Sequence, residues 1–304
     1  EQPGLFIHAA AITQVDDCES DKVKCWNTNV TATRFLIDAA RKINAFVVYV
    51  STDFVFDGEK GNYSESDLTG PVNYYGSSKL AAENALLDSG LNAAIVRTCL
   101  VYGNLVNGSR TNFISWVKEN LEEGKTIKVV NDQYRTPTYI EDLAKGILLV
   151  TERKASGIFH ISGEELLTPY EMAMVTADFL SLNRLLIEKV DASGFTQTAK
   201  RPAKTGFVIT KAKNELGVTI SFEFTYSIIE FSIDPQYDIL SLHSIINTAI
   251  YDFSLFIDHY ELMLISHGIA PFNIQFKYVN NPYYKLIREF HGNDNIAKIC
   301  SSQS

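Results

Sequence analysis

Phe46-Val47-Val48-Tyr49-Val50-Ser51-Thr52-Asp53 is a run of five β-branched or aromatic residues that ends in two hydroxyls and a carboxylate. An apolar run without alternation predicts a buried parallel strand over Phe46–Val50. Ser51 and Thr52 then stand at its carboxyl end, the edge of an open α/β sheet where ligands bind. Further on, Pro71 to Tyr74 makes a turn into a helix predicted over Ser77–Leu87, with Tyr75 and Lys79 at i and i+4 on one face. An ammonium beside a phenol favours the phenolate and lowers a pKa that is otherwise about 10. Thr52, Tyr75 and Lys79 therefore predict a general acid/base acting on a substrate oxygen. Tyr74 has Ser78, not Lys, four residues on, so the role falls to Tyr75. A Tyr/Lys pair at this spacing is by itself commonly a solvated helix face. The hydroxyls at the strand end and the turn distinguish this one.

Working outward, apolar runs and helical stretches alternate. Strands are predicted at Leu5–His8, Phe46–Val50, Ala94–Thr98, Thr126–Val130 and Gly157–Ile161. Helices are predicted at Thr28–Lys42, Ser77–Leu87, Asn112–Glu123, Tyr139–Arg153 and Pro169–Leu182, the first with Phe35, Leu36, Ala39 and Ala40 inward. Such alternation predicts an α/β fold with a doubly wound parallel sheet and helices on both faces.

The 304 residues are 46% apolar and 21% charged, ordinary for a soluble globular chain with a sizeable core. A net charge of −9 argues against a nucleic-acid or anionic-membrane surface. Cys18, Cys25, Cys99 and Cys300 show neither metal spacing nor a disulfide framework, which predicts a reducing, cytoplasmic setting. No metal site is expected, and no apolar stretch reaches the length of a membrane span. Repeats and low-complexity runs are absent.

Four stretches keep their order and spacing: VVYVSTDFVFDG (47–58), PVNYYGSSKLAAEN (71–84), VRTCLVYG (96–103) and NDQYRTPTYIEDLA (131–144). Together they resemble the extended short-chain dehydrogenase/reductases, and among those the dTDP-4-dehydrorhamnose reductase family, over about residues 5–230. The resemblance implies a Rossmann-like part at about 1–104 and 136–161 and a smaller substrate lobe at about 105–135 and 162–230. It implies NADPH or NADH as cofactor and reduction of a 4-keto-6-deoxy nucleotide sugar. Tyr75 would protonate the C4 oxygen, Lys79 would hold the nicotinamide ribose, and Thr52 would hydrogen-bond the substrate oxygen. Ala9, Ala10, Ala11 and Ser51 would border the cofactor. His8 replaces the family's Asn and reads equally as a packed strand-end residue. Asn29 reads either as support for Lys79 or as a helix N-cap. The substrate side would comprise Asp53, Phe54, Leu100, Asn112, Gln133, Arg135 and Arg201, with Arg suited to a diphosphate. Phe54 and Leu100 replace a Tyr and a Trp usual in the family, so the sugar pocket is expected to differ.

Two other readings stand beside this one. The regulatory β subunit of methionine adenosyltransferase is similar in the same segments and acts by binding a partner. Alternatively, no Gly-rich turn to receive a dinucleotide diphosphate stands upstream of Leu5 in this sequence, which reads as a truncated chain with cofactor binding expected to be impaired. Gly58 and Gly61 open no helix and read as a loop. Beyond about residue 230 the composition shifts. Residues 231–304 hold twelve Ile and twelve Phe or Tyr but only four of the 27 Lys and Arg, a tail of unknown role. It is expected to form one or two helices over Tyr237–Ser266 and a strand over Asn273–Val279, and it offers a surface for a protein partner or a second copy. His243, His259, His267 and His291 match no metal-ligand spacing.

Overall fold

The computed structural model of the chain describes residues 3–103, 112–194 and 197–217. The tail elements, its four histidines and Cys300 lie outside the described residues. In chain order the first half contains β1 (Leu5–His8), α1 (Val15–Ser20), α2 (Lys22–Trp26), α3 (Ala32–Ile43), β2 (Phe46–Thr52), α4 (Tyr74–Leu87) and β3 (Ala93–Thr98). The second half contains β4 (Val101–Tyr102), α5 (Phe113–Glu122), β5 (Ile127–Val130), β6 (Thr138–Tyr139), α6 (Ile140–Arg153), β7 (Gly157–His160), α7 (Pro169–Phe179), β8 (Ile187–Val190) and α8 (Thr210–Leu216).

Strands β1, β2, β3 and β7 form one parallel sheet in that order. Their apolar residues alternate, so each strand feeds two cores. Phe46, Val48, Ala94, Val96 and Phe159 pack against Leu143 and Val150 of α6 and Ala212 and Leu216 of α8. Val47, Tyr49 and Ile95 pack the other way, against Ile37 and Ala40 of α3 and Ala82 and Leu86 of α4. The predicted Rossmann-like α/β architecture, with helices on both faces, is thus the observed one.

A second layer lies beside it. Strands β5 and β8 pair in parallel, and Val117 and Leu121 of α5 and Ala173 and Ala177 of α7 cover them. Strand β8 was not among the sequence expectations, because IEKV places two exposed charged residues inside a short apolar segment. Helix α7 stops at Phe179, short of Leu182, where Ser181 turns to a left-handed φ of 53°.

The helix predicted over Thr28–Lys42 departs in phase. Helical backbone begins at Lys22, and a π turn over Asn27–Thr31 separates α2 from α3. The extra residue in that turn rotates the following face. Thr33, Ile37 and Ala40 are buried, while Phe35, expected inward, is 70% exposed, and Ala39 is also exposed.

Helix α4 carries Tyr75 and Lys79, and its start is locked to β2. Asn73 caps it, its side chain accepting from Gly76 N at 2.8 Å. Gly76 lies directly against the 3₁₀ turn Asp53–Val55 that ends β2. A Cβ at that position would sit 2.1 Å from the Phe54 carbonyl oxygen and 3.0 Å from Pro71 Cβ. Since the obstructing atom is backbone, Gly76→Ala forces α4 away from β2. It is expected to cost about 1–3 kcal/mol or more, checked by urea unfolding.

Candidate active site

The carboxyl end of β2 and the first turns of α4 bring Thr52, Tyr75 and Lys79 into one buried region. Tyr75, 8% exposed, packs with Cys18, Cys25 and Phe54, the Phe54 ring meeting it edge-on at 5.9 Å. Tyr74 faces outward toward Lys22 and Trp26. Thr52 Oγ1 donates to Asp53 Oδ1 at 3.1 Å and accepts from Phe54 N at 3.2 Å.

The expected coupling of Lys79 to Tyr75 is not what the geometry provides. Lys79 Nζ donates to the Val50 carbonyl at 2.7 Å and lies 4.1 Å from the centre of the Tyr49 ring. Burial pulls its pKa down to about 7, with Glu83 and Cys25 opposing. Burial also dominates at Tyr75, pushing the phenol well above its ordinary value; a hydrogen bond with Thr52 opposes this and the charge of Asp53 adds to it. Desolvation outweighs the ammonium because both groups lie in the interior. A phenol held this way keeps its proton at neutral pH and is a donor rather than a base.

Asn29 is no N-cap. It stands inside the π turn, where Nδ2 donates to Ile12 O at 3.1 Å and to Ser78 Oγ at 3.0 Å, and Oδ1 accepts from Ile12 N at 2.8 Å. It thereby ties the loop after β1 to the residue preceding Lys79. His8 is buried at the end of β1, its Nε2 2.9 Å from Thr33 Oγ1. Burial, then the Lys79 charge, lowers its pKa, so its ring is neutral at pH 7.

The residues expected on the substrate side are bonded largely to one another. Asp53 accepts from Thr205 Oγ1 and lies 3.6 Å from Arg135 Nε. Arg135, 5% exposed, donates to the carbonyls of Tyr134, Pro202 and Ala203 at 2.8, 2.8 and 3.2 Å, with Gln133 Oε1 at 3.5 Å. Arg201 forms a two-pronged pair with Asp16 at 2.7 and 2.6 Å. Asn112 caps α5, accepting from Ser115 N at 3.0 Å, and donates to Gly103 O at 2.6 Å. Asn73 Nδ2 holds Lys200 O at 2.8 Å. Residues 199–207 are thus laced across the site by Asp16, Asp53, Asn73 and Arg135. Leu100 has a left-handed φ of 38°, unusual for a bulky side chain.

Sequence reasoning missed Asp16, Tyr49, Thr205 and the pair Glu83–Arg97. Arg97 binds both Glu83 oxygens, at 2.7–3.2 Å, in full burial. Two signals were available: an Arg inside the apolar run AAIVRT, and a Glu four residues after Lys79.

The same region fits the nicotinamide-ribose end of a dinucleotide. Ser51 Oγ is buried with no hydrogen-bond partner, Lys79 supplies N–H donors, and Ala9 and Ala10 expose their chain at the end of β1. Among the described residues no Gly-rich turn opens a helix to receive a diphosphate. Gly58 and Gly61 lie against Pro202 and Lys204, and no cluster of metal-binding side chains is found there either.

Comparison with known proteins places this geometry in context. The model of the RmlD substrate binding domain matches residues 1–231. The dTDP-4-dehydrorhamnose reductase of Aggregatibacter actinomycetemcomitans is 31% identical over 229 residues, covering 71% of this chain and 76% of that one. Methionine adenosyltransferase 2 subunit beta of Xenopus tropicalis is 35% identical over 186 residues, covering 60% of this chain but only 56% of that subunit. Among solved structures, the dTDP-4-dehydrorhamnose reductase of Bacillus anthracis in complex with NADP superposes with a TM-score of 0.69 at 28% identity, covering 75% of this chain and 79% of that one.

The lowered pKa of Lys79 has a consequence for stability. Between about 7 and the ordinary 10.5 the unfolded chain keeps this proton and the folded chain releases it. Stability therefore rises with pH across that window, by up to about 1.4 kcal/mol per pH unit. Lys79→Met removes the contribution. The difference in urea-unfolding free energy, wild type minus Lys79→Met, is expected to grow from neutral toward alkaline pH.

Proposed function

Because the chain belongs to the RmlD substrate-binding domain family, we propose that it carries out NAD(P)H-dependent reduction of a 4-keto-6-deoxy nucleotide sugar, in the manner of dTDP-4-dehydrorhamnose reductase. The observation that carries this reading is the convergence of Thr52, Tyr75 and Lys79 at the carboxyl end of β2, with the unpartnered Ser51 hydroxyl beside them.

When bound, the reduced nicotinamide supplies the hydride. Tyr75 gives its phenolic proton to the substrate oxygen, which becomes the hydroxyl. The phenol keeps its proton at neutral pH, so the proton is present to be given. Thr52 fixes the position of the carbonyl oxygen. Lys79 would hold the ribose hydroxyls, and burial brings its pKa down to about 7. Phe54 and Leu100 line the sugar side, and Asp53, Arg135 and Arg201 keep segment 199–207 over it. A Rossmann-like part at about 1–104 and 136–161 and a substrate lobe at about 105–135 and 162–230 form the working division, with 231–304 available to a partner or a second copy. Three free buried thiols, Cys18, Cys25 and Cys99, support a reducing cytoplasmic setting, and no described helix is long and apolar enough to cross a membrane.

The second reading, a noncatalytic binding subunit, is favoured by Phe54 and Leu100 in place of the family's Tyr and Trp and by the likeness to the adenosyltransferase subunit. Turnover separates the two. With NADPH or NADH and a dTDP-4-keto-6-deoxy sugar, Tyr75→Phe is expected to lower kcat by about 10²–10⁴-fold, while cofactor affinity by titration calorimetry stays within about twofold. NADPH or NADH binding without turnover in the unaltered chain would sink the reductase reading in favour of the binding subunit.

A further inference from the structure

The Lys79 ammonium is 3% exposed, and among the described residues no carboxylate forms an ion pair with it. Glu83, one turn along α4, is fully buried, and both its oxygens are taken by Arg97 from β3. Two other groups face Lys79: Cys25 from α2, whose Sγ approaches Ser78 Oγ at 3.4 Å, and neutral His8 from β1. What touches the ammonium is the Val50 carbonyl, at 2.7 Å, and the face of the Tyr49 ring, at 4.1 Å.

Tyr49 itself is built as a surface rather than as a hydrogen-bonding group. Its ring is 1% exposed and wedged among Ile37, Ala40, Ala82 and Leu86. The His8 ring meets it at 5.5 Å. Its hydroxyl makes no hydrogen bond of full geometry; the Thr33 hydroxyl beside it gives only a weak interaction, being bonded to His8 and to the Asn29 carbonyl. A buried phenol whose hydroxyl makes no full hydrogen bond while its ring lies under a desolvated cation at 4.1 Å is placed for its π face.

We infer that the Tyr49 ring is the seat of the Lys79 ammonium: a positioning residue that acts on the reaction only through Lys79. The inference rests on the reading of Lys79 given above, but its test does not. A ring face stabilises the charged form, so weakening it lowers the Lys79 pKa.

The experiment replaces Tyr49 by Phe and by mono-, di- and trifluorophenylalanine, which keep the shape while draining charge from the ring face. Titration of Lys79 is followed by its side-chain carbon chemical shift in the intact chain labelled at lysine with carbon-13, the signal being assigned by its loss in Lys79→Met. Tyr49→Phe is expected to keep the midpoint. The fluorinated rings are expected to lower it stepwise, by about one pH unit in all. Tyr49→Leu shifts it the same way, but it also opens a cavity in the core, and the fluorinated series is free of that complication. A midpoint that is equal in the Phe and trifluorophenylalanine chains overturns the inference, whatever turnover does. A midpoint that moves while the kcat–pH profile stays fixed overturns the positioning role, because the ring then sets a charge the reaction does not use.

Discussion

Arg97 reaches from the middle of the sheet to Glu83 on α4 in a two-pronged pair from which water is excluded. Such a pair is weak as a source of net stability, but it is costly to break, because either partner alone would be an unpaired buried charge. Its value here is positional. Glu83 is one turn beyond Lys79 and two beyond Tyr75, so the pair sets the rotation of α4 on β3 and with it the direction in which both side chains point. On its other side the Arg97 guanidinium lies 5.1 Å over the Phe56 ring and 3.5 Å from His160 Nε2, which extends the anchor to the strand ends that border the site.

The start of the same helix is held by shape rather than charge. Gly76 lets the backbone of α4 touch the turn at Asp53–Val55, and Asn73 closes the end of the helix while holding segment 199–207 through Lys200. The carboxylate of Asp53 serves the same segment through Thr205, and serves Thr52 through its hydroxyl. Site and overlying segment are therefore one hydrogen-bonded unit. A change in that segment would be felt at Thr52 even without contact to substrate.

The reversal at Lys79 shows how environment overrides spacing. Four residues on a helix bring Lys79 and Tyr75 to one face, but the ammonium turns to a carbonyl and a ring, and burial governs both titrations. Sequence spacing carries no measure of desolvation, so it predicted a phenol pulled down where the folded chain holds one pushed up.

The sequence by itself determined the four strands of the main sheet, since unbroken apolar runs such as FVVYV are stable only between two helical layers, and from them the doubly wound sheet, the position of Ser51 and Thr52 at its edge, and the placing of Tyr75, rather than Tyr74, four residues before a Lys. These are local properties of composition and period. Tertiary structure alone decided the partners: that Arg135 and Arg201 hold carbonyls and Asp16, that Asn29 sits in a π turn and bridges Ile12 to Ser78, that Phe35 faces out, and that Tyr49 lies under Lys79. Each depends on contacts between residues far apart in the chain or on the phase of one inserted residue. Hydrogen-bond satisfaction in the interior is settled only when those distant groups meet.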